Sequence, residues 1–373
     1  MSDVVTVRGE SSPSRRSFGN TLTATLRDRK RMVDLAGIVL PLLAFSLAVQ
    51  FYGNELLLVY MMVYLVLAQG INISYGFTGY LPFGYFGFFG AGAYAGALTI
   101  QHFQIPAILA VVIGGVGGVV VAAIFMPLFR LKGAYFAIAT LAGALALGDI
   151  ISNPSLASVT NGALPTNIAS AYSSGQFYVS AVVLVGIALV IVFYIRHSKF
   201  GMSLLAIRED AYSAAMAGVN VVKQRSIAWL IAAGLAGMAG ALFAWATSLF
   251  YPTTVFNPAV SVFAIVFALF GGTGSLWGPT LGAVLLYGVY SIIGISNPQY
   301  FELIYGFIII LLVLFLPRGL VGIGKSVSRR FTTGNARWAK MSLKSITSPS
   351  LSVACVPLLA SPSLWPTGRY LGL

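Results

Sequence analysis

Few residues in this chain have types and spacings that could do chemistry, and they do not converge. Gly319 to Ser326 reads GLVGIGKS, the G-x-x-x-x-G-K-[ST] spacing of a phosphate-cradling loop. Such a loop works when a strand precedes it and a helix follows, so that backbone N–H groups converge on the phosphates. Here an apolar run and Pro317 precede it, and no Asp or Glu follows Glu302 to help hold Mg²⁺. The match is expected to be inert, and the same reasoning weakens Gly272-x-Gly274 as a dinucleotide loop. His102 and His197 stand apart, and the single cysteine, Cys355, excludes an internal disulfide. Neither histidine has the neighbours that an intramembrane enzyme or a metal centre needs.

Polar groups set among apolar ones are Gln69, Asn72, Thr78, Thr140 and Asp149. Gln69 and Asn72 are three apart, hence on one helix face, where they either line a path or hydrogen-bond between helices. Asp149 ends an apolar run beside Asn153 and Pro154, at headgroup level or at the mouth of a path. A secondary transporter or channel would be expected to carry a coupling carboxylate or a charged ring, for which Asp149 is a weak candidate. The pattern G-x-T-G-x-L occurs twice, at Gly76–Leu81 and Gly271–Leu276. It is either coincidence in a glycine-rich chain or a pair of broken helices whose freed backbone groups line a water-filled path. In the second case Thr78, Gly79, Thr273 and Gly274 join Gln69 and Asn72 as candidate path residues.

The elements that must carry these residues are membrane spans. Of 373 residues, 58% are hydrophobic and 8% charged, and mean hydropathy is +0.89, which leaves little for a soluble domain. Apolar runs predict an all-α, polytopic bundle with about ten spans, near 34–52, 55–73, 80–100, 105–129, 133–151, 177–195, 226–250, 258–273, 279–295 and 301–316. Glycine pairs at i, i+4, such as Gly92/Gly96, Gly114/Gly118 and Gly278/Gly282, suit close helix packing in lipid.

The net charge of +13 does not indicate nucleic acid, because the basic residues cluster between apolar runs. Seven lie between Arg8 and Arg31, followed by Arg130 and Lys132, the 196–225 loop, and a group from Arg318 onward. With the N-terminus inside, ten crossings put every cluster on the cytoplasmic side and both termini with them. The chain then divides into a basic cytoplasmic segment, 1–33, a transmembrane domain, 34–324, and a Ser/Pro-rich tail, 325–373, expected to be cytoplasmic and loosely ordered. The first span is expected to be an uncleaved anchor, since about 33 mostly polar residues precede it.

The 196–225 loop is the longest soluble piece with helical character. Ala211, Ala214, Ala215 and Gly218 fall at i, i+3, i+4, i+7, a small-residue stripe on a short helix, with Arg208, Glu209 and Asp210 in its first turn. Such a stripe either seats in another protein's groove or lies on the headgroups as an amphipathic loop helix.

This loop, from Ser198 through Gly201, Ala206-Ile207-Arg208-Glu209-Asp210, Ala214-Ala215 and Gly218, resembles the cytoplasmic loop of the branched-chain amino-acid ABC transporter permeases of the LivM type (LivH/LivM family). Further blocks resemble that family in order: Gly76–Gly79 with Phe83–Tyr94, Leu131–Leu141, Ala228–Leu242, Leu269–Ala283 and Leu316–Gly322. The last accounts for the phosphate-loop match as a closing block running into a basic tail. The resemblance spans roughly 34–324. It departs at Val159–Asn167, where the family usually has a T-G-G-x-x-G-like stretch, and in the tail.

The resemblance implies a permease subunit without its own ATPase site or cofactor, in the bacterial cytoplasmic (inner) membrane. It implies a second, LivH-like permease, two LivG/LivF-like cytoplasmic ATPase subunits that carry ATP and Mg²⁺, and a periplasmic solute-binding protein. Arg208, Glu209, Asp210, Ala211, Ala214, Ala215 and Gly218 would couple to the ATPases. A urea or short-amide importer uses a closely similar permease and stays open as the alternative.

Overall fold

The computed structural model describes residues 15–51, 53–131, 133–296, 306, 307 and 310. The Gly319–Ser326 loop, Cys355, the tail and most of the tenth apolar run lie outside them. Thirteen α-helices follow in chain order among the described residues: α1 Arg15–Phe51, α2 Glu55–Ile71, α3 Tyr85–Phe103, α4 Ala107–Ile124, α5 Ala134–Ile151, α6 Ala157–Thr160, α7 Ser174–His197, α8 Lys199–Glu209, α9 Ala211–Met216, α10 Val221–Thr247, α11 Pro252–Val255, α12 Pro258–Gly271 and α13 Trp277–Ser296. Two two-residue strands, β1 Thr166–Asn167 and β2 Leu249–Phe250, pair antiparallel and tie the loop after α5 to the end of α10.

Local chemistry sets the helix ends. Asn54 caps α2, its side chain accepting from the Leu57 N–H at 3.2 Å, and Glu55 opens the helix with the charge its dipole favours. Asn220 caps α10 through the Lys223 N–H at 3.0 Å, and Asn257 caps α12 through the Ala259 N–H at 2.9 Å with Pro258 at the first helical position.

Among the described residues, seven helical segments are long and apolar enough to cross a membrane, from Met32–Gln50 to Pro252–Gly271. Their outward faces carry apolar stripes at helical spacing: Val112, Val116 and Val120 on α4, and Val179, Val183, Ile187 and Val190 on α7, are all exposed. Large aliphatic surface without covering protein is the lipid-facing signature of a polytopic membrane protein.

Helices α3, α4 and α10 form the closest-packed group. Gly92 of α3 and Gly118 of α4 both face Gly237 of α10, and Gly96 and Gly114 both face Ala241, so any added side chain would strike the opposing helix. On the other side, Gly278 and Gly282 bring α13 against Gly271 at the end of α12. All three glycine pairs thus serve backbone approach, the packing mode available where lipid offers no hydrophobic drive between helices.

Helix α1 is joined to α7 by Asp34, which is buried. Arg196 Nη1 lies 2.7 Å from its Oδ1, and His197 Nε2 lies 3.4 Å from its Oδ2. His197, isolated in sequence, therefore belongs to an interhelical charge cluster.

Candidate functional site

Beyond Ile71, helix α2 widens into a π-helical turn, Asn72–Phe77, and ends at Thr78, whose Oγ1 donates to the Ser74 carbonyl. Single π turns inside α-helices recur at functional sites. Gly79 follows with φ +80°. Helix α12 ends at Gly271, and its exit turn carries Gly274 with φ +79°. The corresponding glycines of the two G-x-T-G segments therefore share one left-handed backbone state, which glycine adopts without steric penalty. The sequence echo extends to φ of this one glycine and not to the residue two before it, since Phe77 is helical where Gly272 has φ +103°.

The two turns are bound to each other. Asn72 Oδ1 accepts from the Gly274 N–H at 2.7 Å, and Asn72 Nδ2 donates to the Ser275 carbonyl at 2.9 Å. The side-chain amide thus pairs with the backbone at 274–275 as a second chain would. Asn72 Nδ2 also reaches Gln69 Oε1 at 3.2 Å, while Gln69 Nε2 donates to the Leu276 carbonyl at 3.0 Å and Thr280 Oγ1 at 2.8 Å. Gln69 and Asn72 have no exposed surface, and Thr78 and Thr280 are buried. A satisfied polar network in a low-dielectric interior is rigid and specific, whereas the same groups unpaired would be costly.

Arg208, near the end of α8, closes this column from the loop side. Its Nη1 donates to the Gly76 carbonyl. Its Cγ lies 3.4 Å from where a Cβ on Gly79 would stand, and its Nη1 lies 3.6 Å from the equivalent point on Gly274. One guanidinium therefore abuts both glycine turns. Arg225, in the first turns of α10, donates from Nη1 to the Tyr80 hydroxyl at 3.0 Å, and its guanidinium carbon sits 4.2 Å from the Tyr80 ring centroid. Among the described residues neither arginine is in an ion pair. Both border a cleft of about 510 Å³ whose walls also include Glu209 and Asp210.

The loop itself differs from the expected single helix. Asp210 does not lie in the first turn of a continuous helix; it breaks the chain between α8 and α9 and caps the latter. Its carboxylate accepts from the Tyr212 N–H at 3.1 Å, the Ser213 N–H at 3.0 Å and the Ser213 hydroxyl at 2.5 Å. The Ser213 hydroxyl, with the backbone N–H groups of Ser213 and Tyr212, holds the Asp210 carboxyl below the usual carboxylate range.

The Ala211/Ala214/Ala215/Gly218 stripe is also not one presented face. Helix α9 stops at Met216; Ala214 is buried, and Gly218 lies past the end with φ +86°, where the Val219 N–H returns to the Ala214 carbonyl. Outward stand Tyr212, Ala215 and Met216, with Tyr212 and Met216 at 74% and 76% exposure. Their i, i+4 spacing was the available sequence signal for this face.

Thr273 lies in the turn beside Gly76, against which its Cβ packs. Thr140 stands apart from the column: its Oγ1 donates to the Ala137 carbonyl at 2.8 Å and accepts from the Gly84 N–H at 3.3 Å, holding α5 to the start of α3. Asp149 is exposed near the end of α5.

Comparison with known proteins adds an independent line. A family model described as branched-chain amino acid transport system / permease component matches residues 54–313. The chain is 28% identical over 292 residues to the high-affinity branched-chain amino acid transport system permease protein LivM of Salmonella typhimurium, covering 70% of this chain and 68% of that one. The LivM protein of Escherichia coli matches to the same extent. The LivH permease protein of Escherichia coli is 24% identical over 285 residues, covering 69% of this chain and 91% of that one. No solved structure matches the chain.

Proposed function

Because the chain belongs to the family of branched-chain amino acid transport system permease components, we propose that it is one of two membrane subunits of an ABC importer for branched-chain or related small amino acids. It works in the bacterial inner membrane with a LivH-like permease, two LivG/LivF-like ATPases that bind ATP and Mg²⁺, and a periplasmic solute-binding protein. In this reading the chain crosses the membrane about ten times with both termini cytoplasmic, and the 196–225 loop faces the ATPases.

The observation that carries the mechanism is the π-helical turn Asn72–Phe77, held at Gly76 by Arg208 and at Asn72 by Gly274, Ser275 and Gln69, with Gln69 reaching Thr280. Helix α9 offers Tyr212, Ala215 and Met216 to an ATPase groove, and Asp210 fixes that helix at an angle to α8. When ATP closes the ATPases, displacement of the loop moves Arg208, and with it the carbonyl of Gly76 and the turn held to it by Asn72. A ligand-driven switch needs contacts that differ between its two states, and this column is a set that can be made and broken together. Gln69, Asn72, Thr78, Gly79, Thr273 and Gly274 then form the inner gate of the solute path.

The test is co-purification followed by transport. The chain should elute with ATPase subunits, and the complex in liposomes should take up leucine only with ATP. Ala215→Trp should leave insertion and ATP hydrolysis intact while uptake falls about tenfold or more, the size of a typical coupling free energy. Full uptake by a correctly assembled Ala215→Trp complex counts against α9 as the coupling surface. Gly218→Leu is a poorer probe, since any side chain there strains the cap.

A further inference from the structure

The cleft bordered by Arg208 and Arg225 lies where two spans begin. Ala134, Phe136 and Ala137 in the first turn of α5, and Arg225 in the first turns of α10, share its walls with the end of α8. Both α5 and α10 are long and apolar enough to cross a membrane, so their first turns stand at the depth of phospholipid headgroups. At about 510 Å³ the space is the size of a small-molecule site.

Charge in the cleft comes in both signs and is sorted by depth. The Arg208 guanidinium turns inward to the carbonyl of buried Gly76, and Arg225 is half-buried against Tyr80. Both of those acceptors are neutral, and among the described residues the buried Arg225 Nε has no hydrogen-bond partner. A half-buried guanidinium held by neutral acceptors has charge left to compensate. Glu209 and Asp210, the acidic part of the lining, are exposed. The Asp210 carboxylate is turned toward α9, accepting from the Tyr212 and Ser213 N–H groups and the Ser213 hydroxyl, which makes Glu209 the main acceptor at the lip.

One wall runs on into lipid-facing surface. Ile138 and Leu145, four and eleven residues past Ala134, lie on the same face of α5, and all three are exposed. An amphiphile seated in the cleft therefore meets guanidinium groups inward, a carboxylate outward and aliphatic surface along the span.

We propose that this cleft binds a phospholipid whose phosphodiester carries a primary ammonium, as in phosphatidylethanolamine, with the acyl chains following Ile138 and Leu145. The proposal goes beyond the importer reading and needs only that α5 and α10 cross the membrane. The phosphate oxygens meet Arg225 and Arg208, whose N–H groups suit them, and the ammonium donates to Glu209. Basic pockets between spans are a recurring means of holding lipid headgroups. A choline headgroup has the same two charges but no N–H to donate, and phosphoglycerol brings no cation to the acidic lip, so both fit less well. Because Arg208 also holds Gly76, an occupied cleft fixes the guanidinium on which the first glycine turn depends.

For the test, the chain is purified in detergent with the subunits that accompany it, washed free of lipid, and offered equal amounts of phosphatidylethanolamine, phosphatidylcholine and phosphatidylglycerol with identical acyl chains. Lipid retained per chain is read by native mass spectrometry. Phosphatidylethanolamine should be retained about tenfold over each of the others. Arg225→Gln should lower its retention about tenfold, the scale of one charge-assisted hydrogen bond. Ala134→Trp, which narrows the cleft from its rim and leaves every charge in place, should do the same, and it decides the matter where Arg225→Gln does not fold. Glu209→Gln should bring phosphatidylethanolamine down to the level of phosphatidylglycerol. Equal retention of the three lipids, or full retention by a folded Arg225→Gln or Ala134→Trp chain, overturns the proposal. Displacement of the lipid by equimolar glycerophosphoethanolamine or leucine also overturns it, since the occupant would then be a soluble solute. The readout involves neither ATP nor uptake, so its failure leaves the importer reading standing, and ATP-driven uptake in liposomes tests that reading separately.

Discussion

The turn that leaves α2 and the turn that leaves α12 share the G-x-T-G pattern and the same left-handed glycine, at φ +80° and +79°, yet their polar groups have different keepers. In the first, the Gly76 carbonyl accepts from Arg208, so its position answers to the loop. In the second, the Gly274 N–H and the Ser275 carbonyl are both held by Asn72, so its position answers to α2. The two turns thus share one glycine φ while differing in the groups that hold them, a side chain of the loop for the first and one of the α2 end for the second. In the coupling proposed above, displacement of the loop would reach the first turn directly and the second through Asn72.

Asn72→Ala should break the comparison most severely. It leaves the buried Ser275 carbonyl without a partner, at about 1–3 kcal/mol, and the half-buried Gly274 N–H at less. Thermal unfolding of the complex should shift downward, and amide exchange should rise at residues 274–276. Protection at 76–79 that falls as far would mean that the two turns are not held separately.

Arg208→Gln should have the next largest effect and the opposite location. Loss of a charge-assisted hydrogen bond, about 1.5–3 kcal/mol, loosens the first turn. Exchange should rise at 76–79 before 274–276, with ATP hydrolysis persisting while uptake falls.

Smaller still are Gly79→Ala and Gly274→Ala. Each forces an L-residue into the left-handed region at about 1–2 kcal/mol, with an added Cβ meeting nothing closer than 3.4 Å. The two losses in stability should be equal within error; a clear inequality would mean that the shared φ hides unequal surroundings.

The smallest effect is at Asp210, whose carboxyl is held below its ordinary range by Ser213 and the Tyr212 N–H. Because the folded value is depressed, the cap is fully present above the ordinary carboxylate range and is lost as pH falls through the folded value. NMR titration of the Asp210 carboxyl should place it below the ordinary carboxylate range, and Ser213→Ala should move it upward, so that amide protection of α9 is lost at a higher pH.

Much of this was legible in the sequence because lipid imposes simple rules. The runs from 34–52 to 279–295 correspond to α1 to α5, α7, α10, α12 and α13, and the G-x-T-G echo marked two turns whose second glycines share a positive φ. What stayed hidden depends on groups distant in sequence. Gln69 and Asn72 announced a polar face, but their partners are some 200 residues away, at Gly274, Ser275 and Thr280. The small-residue stripe was misleading because Asp210 can satisfy N–H groups two and three residues ahead, and that local bond competes with helix continuation. Asp34 passed unnoticed because its partners Arg196 and His197 lie six helices later.

Helix α3 carries a consequence for how the protein is made. It is not among the seven segments apolar enough to cross a membrane, and most of its side chains are buried against other helices rather than exposed. Entry into the bilayer during synthesis is judged segment by segment on apolarity, before the helices that will surround a segment exist. Helix α3 satisfies the finished bundle better than it satisfies that early judgement. Its glycine face is covered by α10, which follows more than 100 residues later in the chain. In the order of synthesis that face has only α4 beside it, through Gly96 against Ala110, until Gly237 and Ala241 of α10 have been made.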